Sequence, residues 1–183
     1  MKHGNCTQYF VDESLNKIRS FGAYKNGKRH GVWTYYHKNG EISCRGSYAE
    51  GKKTGRWIEK NWKGQSIKSV MLNEANQIHG YYESIRDGFL EQGYYENGVK
   101  QGNWKRYRYD TREHPHLHSK ESLIKEYHYK DGKLNGSSTY YHDYYPFKVS
   151  RKEFNKNNEL DGLCQEFDNS GVKTVECRYK KGK

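Results

Sequence analysis

Strand-length runs of about five to eight residues, separated by turn dipeptides, follow one another along most of the chain. Runs such as GVWTYYH and GRWIEKN are rich in Tyr, Trp, Val, Ile and Thr, which favour strands. Between them stand Asn26-Gly27, Asn39-Gly40, Asn97-Gly98 and Asp131-Gly132, dipeptides that tolerate the positive φ angles of tight hairpin turns. No window shows the 3.6-residue period of an amphipathic helix. The pattern predicts an all-β antiparallel meander with little or no helix.

One segment, residues 22–46, returns along the chain at an interval of about 24 residues. Later copies read GYYENGVKQGNWKRY, YHYKDGKLNGSSTYY and EFNKNNELDGLCQEF, and a degraded third copy keeps Leu72 and Gly80. About six to seven hairpin copies predict an elongated solenoid, in which each unit packs on its neighbours. The recurring aromatic positions form a predicted structural ladder: Tyr24, Trp33, Tyr48, Trp57, Tyr82, Tyr95, Trp104 and Tyr129.

The repeat pattern G-x-Y-x-x-G-x-x-x-G-x-W-x-x-Y resembles the MORN repeat, from about Tyr9 to Lys183. The Asn-Gly turn after the second strand is similar to the bacterial MORN-variant type, found in YwqK-like antitoxin proteins. Leu72, Ser138 and Cys164 stand where that pattern has aromatic residues. The resemblance implies a protein-binding module, most specifically an antitoxin or immunity protein that neutralises a partner. An adaptor or an anti-defence inhibitor of another protein is the alternative.

The repeats predict a single domain over residues 1–183, with residues 1–20 as an N-terminal half-repeat cap. Residues 110–121 form an insertion in repeat four, and insertions in repeat proteins usually map to loops on the binding face. Its tip holds His114, His116 and His118, whose alternation would place three imidazoles on one side of an extended segment. Because no thiolate or carboxylate is fixed nearby, we expect a solvated loop and no metal or cofactor.

The composition is polar, with a mean hydropathy of −1.29 and a net charge of +11, but aromatic residues make up 15% of the chain. Buried aromatic surface therefore has to supply much of the stability. Cys6, Cys44, Cys164 and Cys177 lack metal-ligand spacing, and no secretory signal or apolar span is recognised. We expect a soluble, cytoplasmic protein with free thiols, although Cys164 and Cys177 would lie close together on adjacent strands.

Basic residues recur beside the first turn of each copy and predict a basic edge that docks on an acidic protein. The predicted partner-binding residues are Lys28, Arg29, Lys52, Lys53, Lys100, Arg106, Arg108 and Arg112. The alternative is that lysines keep a flat sheet soluble. The run WKRYRY also resembles a platform for single-stranded nucleic acid, and acidic lipid is a third possible ligand.

No catalytic motif is present: the chain lacks GxSxG, a phosphate-binding Walker loop and a strand-linked GxGxxG. The sequence therefore predicts a non-enzyme. Gly31, Gly55 and Gly102 stand two residues before the inner aromatics, which predicts a bulge or a close backbone approach at each.

Overall fold

In a computed structural model, which describes residues 1–11, 16–109, 123–142 and 148–183, the chain is an antiparallel β-meander. The strands are hydrogen-bonded in sequence order, and the described residues form no helix. The all-β hairpin-repeat prediction is thereby confirmed. The strands are β1 (Gly4–Tyr9), β2 (Ile18–Lys25), β3 (Lys28–Tyr36), β4 (Ile42–Ala49), β5 (Lys52–Lys60), β6 (Ser66–Leu72), β7 (Ile78–Arg86), β8 (Phe89–Glu96), β9 (Val99–Arg108), β10 (Leu123–Lys130), β11 (Lys133–Tyr141), β12 (Val149–Lys156), β13 (Glu159–Phe167) and β14 (Lys173–Tyr179).

Two-residue turns with positive φ at both central positions open most hairpins. Asn26 and Gly27 have φ angles of 51° and 77°, and Asn97 and Gly98 have 48° and 83°. This is the turn whose twist matches that of the flanking strands. Wider turns such as His37–Glu41 alternate with them from β2 to β6.

In the third copy the two kinds of turn occur in the opposite order. Its first turn is the wide one, closed by the Asn73 amide donating to the Gln77 carbonyl, and its second is the two-residue turn Asp87-Gly88. The absence of glycine from residues 73–77 explains the exchange, because a two-residue turn of this kind favours glycine at its second position.

A bulge recurs in the second strand of the hairpins. In β3, Ala23 is opposite His30 and Phe21 is opposite Thr34, so β3 carries two residues more than β2 over this stretch. Gly31 lies in the bulge with φ 70°, and Gly55 and Gly102 occupy the same place in β5 and β9 with φ 65° and 67°. A Cβ at any of the three would meet no atom within 4 Å. Their requirement for glycine is therefore conformational, as the bulge prediction stated, and does not come from close backbone approach.

Close approach occurs instead at a second set of glycines. A Cβ built on Gly22, Gly46 or Gly93 would lie 2.3, 2.1 and 2.3 Å from the indole Cδ2 of the tryptophan opposite it. These partners are Trp33, Trp57 and Trp104 in turn. Each indole lies flat on bare backbone, which is how a single sheet buries so large a side chain. These three glycines are not among those for which the sequence predicts a bulge or a close approach.

The chain divides into two compact units, Met1–Glu83 and Ser84–Lys183. The core of the first unit consists of Trp33, Tyr48, Trp57 and Val70, with Tyr24 and Tyr35 packed against it. Ring centroids of Trp33 and Tyr24 are 5.2 Å apart, and those of Trp57 and Tyr48 are 5.1 Å apart, both edge-to-face. Such contacts add about 0.5–1.5 kcal/mol each beyond the area they bury.

The second unit begins with the same aromatic contacts and then changes chemistry. Trp104 packs edge-to-face between Tyr95 and Tyr129, with centroids 5.2 and 5.9 Å away. Along β12 and β13, however, the buried positions are Glu153, Asn155 and Cys164. We call the face of each unit that carries these buried residues the ladder face.

Candidate partner-binding surface

Five of the predicted basic residues occupy the first or second position of a strand, immediately after a two-residue turn. Lys28 and Arg29 open β3, and Lys52 and Lys53 open β5. Successive side chains in a strand point to opposite faces. Each basic pair is therefore split, and its two members have different surroundings.

The second member of each pair lies over a tryptophan on the ladder face. The Arg29 guanidinium is 4.8 Å from the Trp33 ring centroid, and the Lys53 ammonium is 4.1 Å from that of Trp57. Lys100 repeats this over Trp104 at 3.9 Å and also forms an ion pair with Glu91 at 3.3 Å. A cation over an indole face gains about 0.5–2 kcal/mol, so these three charges stabilise the ladder.

Arg29 is held further by hydrogen bonds. Its Nη1 donates to the Tyr48 hydroxyl at 3.2 Å, and the hydroxyls of Tyr48 and Tyr35 are 3.0 Å apart. Burial lowers the pKa of Arg29, but the hydrogen bonds to Tyr24 and Tyr48 outweigh it and raise that pKa overall. Arg29 is consequently a structural cation, fixed by a tyrosine network.

The first member of each pair is exposed. Lys28 lies 3.7 Å from Glu50 across the neighbouring turn, and both side chains are more than half exposed. Lys52 is exposed as well. An exposed pair of this kind contributes about 0–1 kcal/mol, so Lys28 and Lys52 remain accessible to a partner.

The basic residues of repeat four are also divided. The Arg106 guanidinium lies 4.1 Å from the Phe89 ring centroid, whereas Arg108 is exposed at the end of β9. Arg112, the insertion at 110–121 and the three histidines His114, His116 and His118 lie outside the described residues.

The face opposite the ladder in the first unit combines apolar and basic side chains. Phe21, Val32 and Met71 are 43%, 50% and 41% exposed, and the arginines Arg45 and Arg56 are exposed among them. We call these five residues the N-terminal outer face. Its rows are fixed by strand register: Arg45 is paired with Thr34 on one side and with Ile58 on the other, while Arg56 is paired with Met71.

Charge is distributed very unevenly among the strands. Strands β1–β6 contain ten lysines and arginines and one carboxylate, Glu59, which lies 3.5 Å from Lys68. Strands β8–β13 also contain ten lysines and arginines, but with seven carboxylates. The positive potential of the strands is therefore concentrated in the first unit, although charge divides almost evenly between the halves of the sequence.

The N-terminal outer face does not emerge from the sequence when basic residues are grouped by the turn they adjoin. It emerges only when each basic residue is assigned to one face of its strand. Arg45 and Arg56 are each adjacent in sequence to a ladder residue, Gly46 and Trp57. Alternation alone places them on the opposite face. That parity is the signal from which the site could have been found.

Neither models of known protein families nor curated proteins match this sequence. Within the described part of the chain, no helix is long and apolar enough to cross a membrane. Across residues 1–11, 16–109, 123–142 and 148–183, no three His, Cys, Asp or Glu side chains are grouped so that they could hold a metal ion.

Proposed function

We propose that the chain is a non-catalytic repeat module that binds an acidic protein through its N-terminal outer face. The observation that supports this most is the combination on β2–β6 of exposed Phe21, Val32 and Met71 with two exposed arginines. Glu59, the lone carboxylate of β1–β6, lies close to Lys68. A partner that supplies carboxylates would complete this surface electrostatically.

The composition of the surface favours a protein over a nucleic acid. Protein interfaces are enriched in Arg, Met and aromatic residues and are anchored by a few of them near the centre. Single-strand binders instead present exposed aromatic platforms for base stacking. In this chain Trp33, Trp57 and Trp104 are each buried under a cation on the ladder face of their own unit. The exposed Trp62 stands in the turn between β5 and β6 and does not belong to the N-terminal outer face.

The more specific form of the proposal is an antitoxin or immunity protein of the MORN-variant type. It is supported by the repeat residues themselves and not by any matched relative. An adaptor or anti-defence inhibitor would use the same surface on a different protein. In either case Lys28 and Lys52 would form a basic rim that accelerates association, while the arginines and apolar residues would set dissociation.

The test is charge reversal at the N-terminal outer face. A partner is first captured from native lysate with the full chain, identified by mass spectrometry and purified. Arg45→Glu/Arg56→Glu should then weaken its binding at least about tenfold. The two arginines would be covered by the partner in the complex, and reversing a charge that a partner covers costs much binding free energy. Lys133→Glu/Lys152→Glu, exposed cations on β11 and β12, is the matched control and should bind like wild type.

A second pair tests the rim. Lys28→Glu/Lys52→Glu should slow association and reduce its salt dependence, with a smaller effect on the dissociation rate. Arg29 and Lys53 are left unchanged, because reversing them would disturb the tryptophans beneath them.

Equal binding by the Arg45→Glu/Arg56→Glu variant and wild type would refute the proposed surface. The same variants are assayed against single-stranded DNA, single-stranded RNA and phosphatidylserine vesicles. Salt-sensitive binding to one of these probes that the double arginine variant abolishes would replace the acidic protein with that ligand.

A further inference from the structure

The last two strands, β13 and β14, place two cysteines opposite each other. Cys164 in β13 is directly opposite Cys177 in β14. Directly paired residues of antiparallel strands have Cα atoms about 4.5–5.5 Å apart and side chains on the same face. A disulfide requires Cα atoms about 4.4–6.8 Å apart, so the backbone already satisfies its main geometric condition.

The two thiols differ in access to solvent. Cys164 is 3% exposed, whereas Cys177 is exposed, and both are free. A dissolved oxidant therefore reacts first with the exposed sulfur of Cys177, and the buried sulfur of Cys164 reacts afterwards. Cys6 and Cys44 do not have this arrangement, because they are paired with Gly22 and Tyr35.

Strand β14 would be affected most by a covalent link. Six of its seven residues are exposed, and its pairing partner is β13. A strand with so little burial opens readily, since local stability follows buried contacts. A bond between Cys164 and Cys177 would close the intervening turn and limit that opening.

We propose that Cys164 and Cys177 form an oxidisable dithiol, a modification site for hydroperoxides that staples β14 to β13. The Cys177 thiolate attacks one oxygen of hydrogen peroxide and the O–O bond breaks. The departing hydroxide takes up the thiol proton and leaves as water, which produces a sulfenic acid at Cys177. The Cys164 sulfur then attacks the Cys177 sulfur, the S–O bond breaks, and the hydroxyl leaves with the Cys164 proton as a second water. The two thiols lose two electrons and the peroxide gains them.

The first experiment maps the bond. The full chain is treated with hydrogen peroxide, free thiols are blocked by alkylation, and peptides are analysed by mass spectrometry. A peptide pair joined through Cys164 and Cys177, lighter by two hydrogen atoms, is expected, with Cys6 and Cys44 alkylated. The site would be refuted if Cys164 and Cys177 remained as alkylated as those two, or if the product were a Cys177 link between two molecules.

Two single variants separate the roles of the sulfurs. Cys164→Ser should trap the sulfenic acid at Cys177, detected with a dimedone probe, because the resolving thiol is missing. Cys177→Ser should leave Cys164 reduced, since this thiol is shielded. Cys177 is exposed, so Cys177→Ser keeps the test valid if Cys164→Ser fails to fold. A sulfenic acid at Cys164 in the Cys177→Ser variant would contradict the proposed order of attack.

Hydrogen exchange measures the staple. After oxidation the backbone amides of β14 should exchange at least about tenfold more slowly than before. Reduction with dithiothreitol should restore the original exchange rate. The Cys177→Ser variant should show no change on treatment with peroxide. If the bond forms and exchange in β14 is unaltered, the link exists without holding the strand, and this part of the proposal is wrong.

Discussion

In β2–β5, Trp33 and Trp57 each lie against a glycine, whereas in β10–β13 the corresponding pairs are Tyr127 with Ser138 and Glu153 with Cys164. In these two pairs the larger side chain occupies the position that holds glycine in the first region, and the smaller one occupies the position that holds tryptophan. The Tyr127–Ser138 pair keeps roughly the volume of a tryptophan with a glycine, while the strand that supplies most of it changes. Glu153 with Cys164 is a smaller pair, and Glu153 also contacts Arg151 and Asn155. This exchange explains how copies that lack tryptophan still form complete hairpins, because close packing constrains the sum of the two side chains.

The two regions differ in how that volume is stabilised. The first uses aromatic contacts, with Trp33 completely buried. The second buries Glu153, whose carboxylate accepts from the Tyr140 hydroxyl at 2.8 Å and from the Asn155 amide at 3.2 Å, and lies 3.0 Å from Arg151. A buried carboxylate persists only when donors surround it. The second region therefore pairs Arg151 with its own carboxylates, Glu153 and Glu166. The exposed Arg45 and Arg56 of the first region instead lie on two strands, β4 and β5, that carry a single carboxylate between them.

The largest effect is expected when the pair of one region is transplanted into the other. Trp57→Ser should cost about 3–5 kcal/mol by leaving a cavity. Gly46→Tyr should be severely destabilising in the wild type, where even a Cβ would lie 2.1 Å from the indole. The double variant, which copies Tyr127 and Ser138, should be more stable than either single variant because it restores the volume of the pair.

Urea unfolding followed by circular dichroism of the wild type and the three variants gives the coupling energy between positions 46 and 57. A coupling energy of about 2 kcal/mol or more in favour of the double variant is expected for residues in direct contact. Additive effects would show that the two positions do not exchange volume, and the comparison between the regions would fail.

A smaller effect is expected at the glycine of the bulge, which the two regions share in different conformations. Gly55 has φ 65°, within the left-handed region that Asn tolerates, whereas Gly136 has φ 110° and lies outside it. Gly55→Val should cost about 1–3 kcal/mol and Gly55→Asn about 1 kcal/mol or less, because β-branched residues are strained at positive φ. Gly136→Asn should cost more than Gly55→Asn. Thermal and urea unfolding of these variants check the order, and equal costs at the two glycines would mean that the bulges are conformationally equivalent.

Much of the fold follows from local signals. Asn-Gly and Asp-Gly turns and the strand-length runs between them determine an antiparallel meander, because each hairpin is specified within about 24 residues. The copies around Ser138 and Cys164 could not be anticipated in the same way. Their compensating partners, Tyr127 and Glu153, are recognised only when register places them opposite the missing tryptophans.

The candidate surface was only partly predictable for a related reason. A basic cluster is visible in the sequence, but the use of Arg29 and Lys53 as cations over tryptophan depends on which face each residue occupies. The exposed arginines Arg45 and Arg56 belong to no run of basic residues, so only their alternation with Gly46 and Trp57 along the strands indicates their face. Strand parity, not charge density, separates structural cations from those available to a partner.

A pH-dependent effect, smaller than that of the transplanted pair, is expected at the tyrosines that face carboxylates in the second region. Burial, and next the hydrogen bond that its hydroxyl donates to Glu91, raise the pKa of Tyr127 well above its usual value. Burial and then the Glu126 carboxylate raise the pKa of Tyr141 to about 12. The folded protein holds these protons more tightly than the unfolded chain does, whose tyrosines titrate near pH 10. This stabilisation is fully present below about pH 10 and is lost as the pH rises through the folded values.

Tyr127→Phe should therefore cost about 1–2 kcal/mol at neutral pH, through one lost hydrogen bond to a carboxylate, and make the alkaline decline in stability shallower. The first region offers the contrast, because the hydroxyl of Tyr35 meets that of Tyr48 instead of a carboxylate. Tyr35→Phe removes a bond between neutral groups and should cost less at neutral pH. Urea unfolding at a series of pH values from 7 to about 11 measures both slopes. If Tyr127→Phe declined as steeply as wild type, the phenol–carboxylate contact would not distinguish the second region from the first.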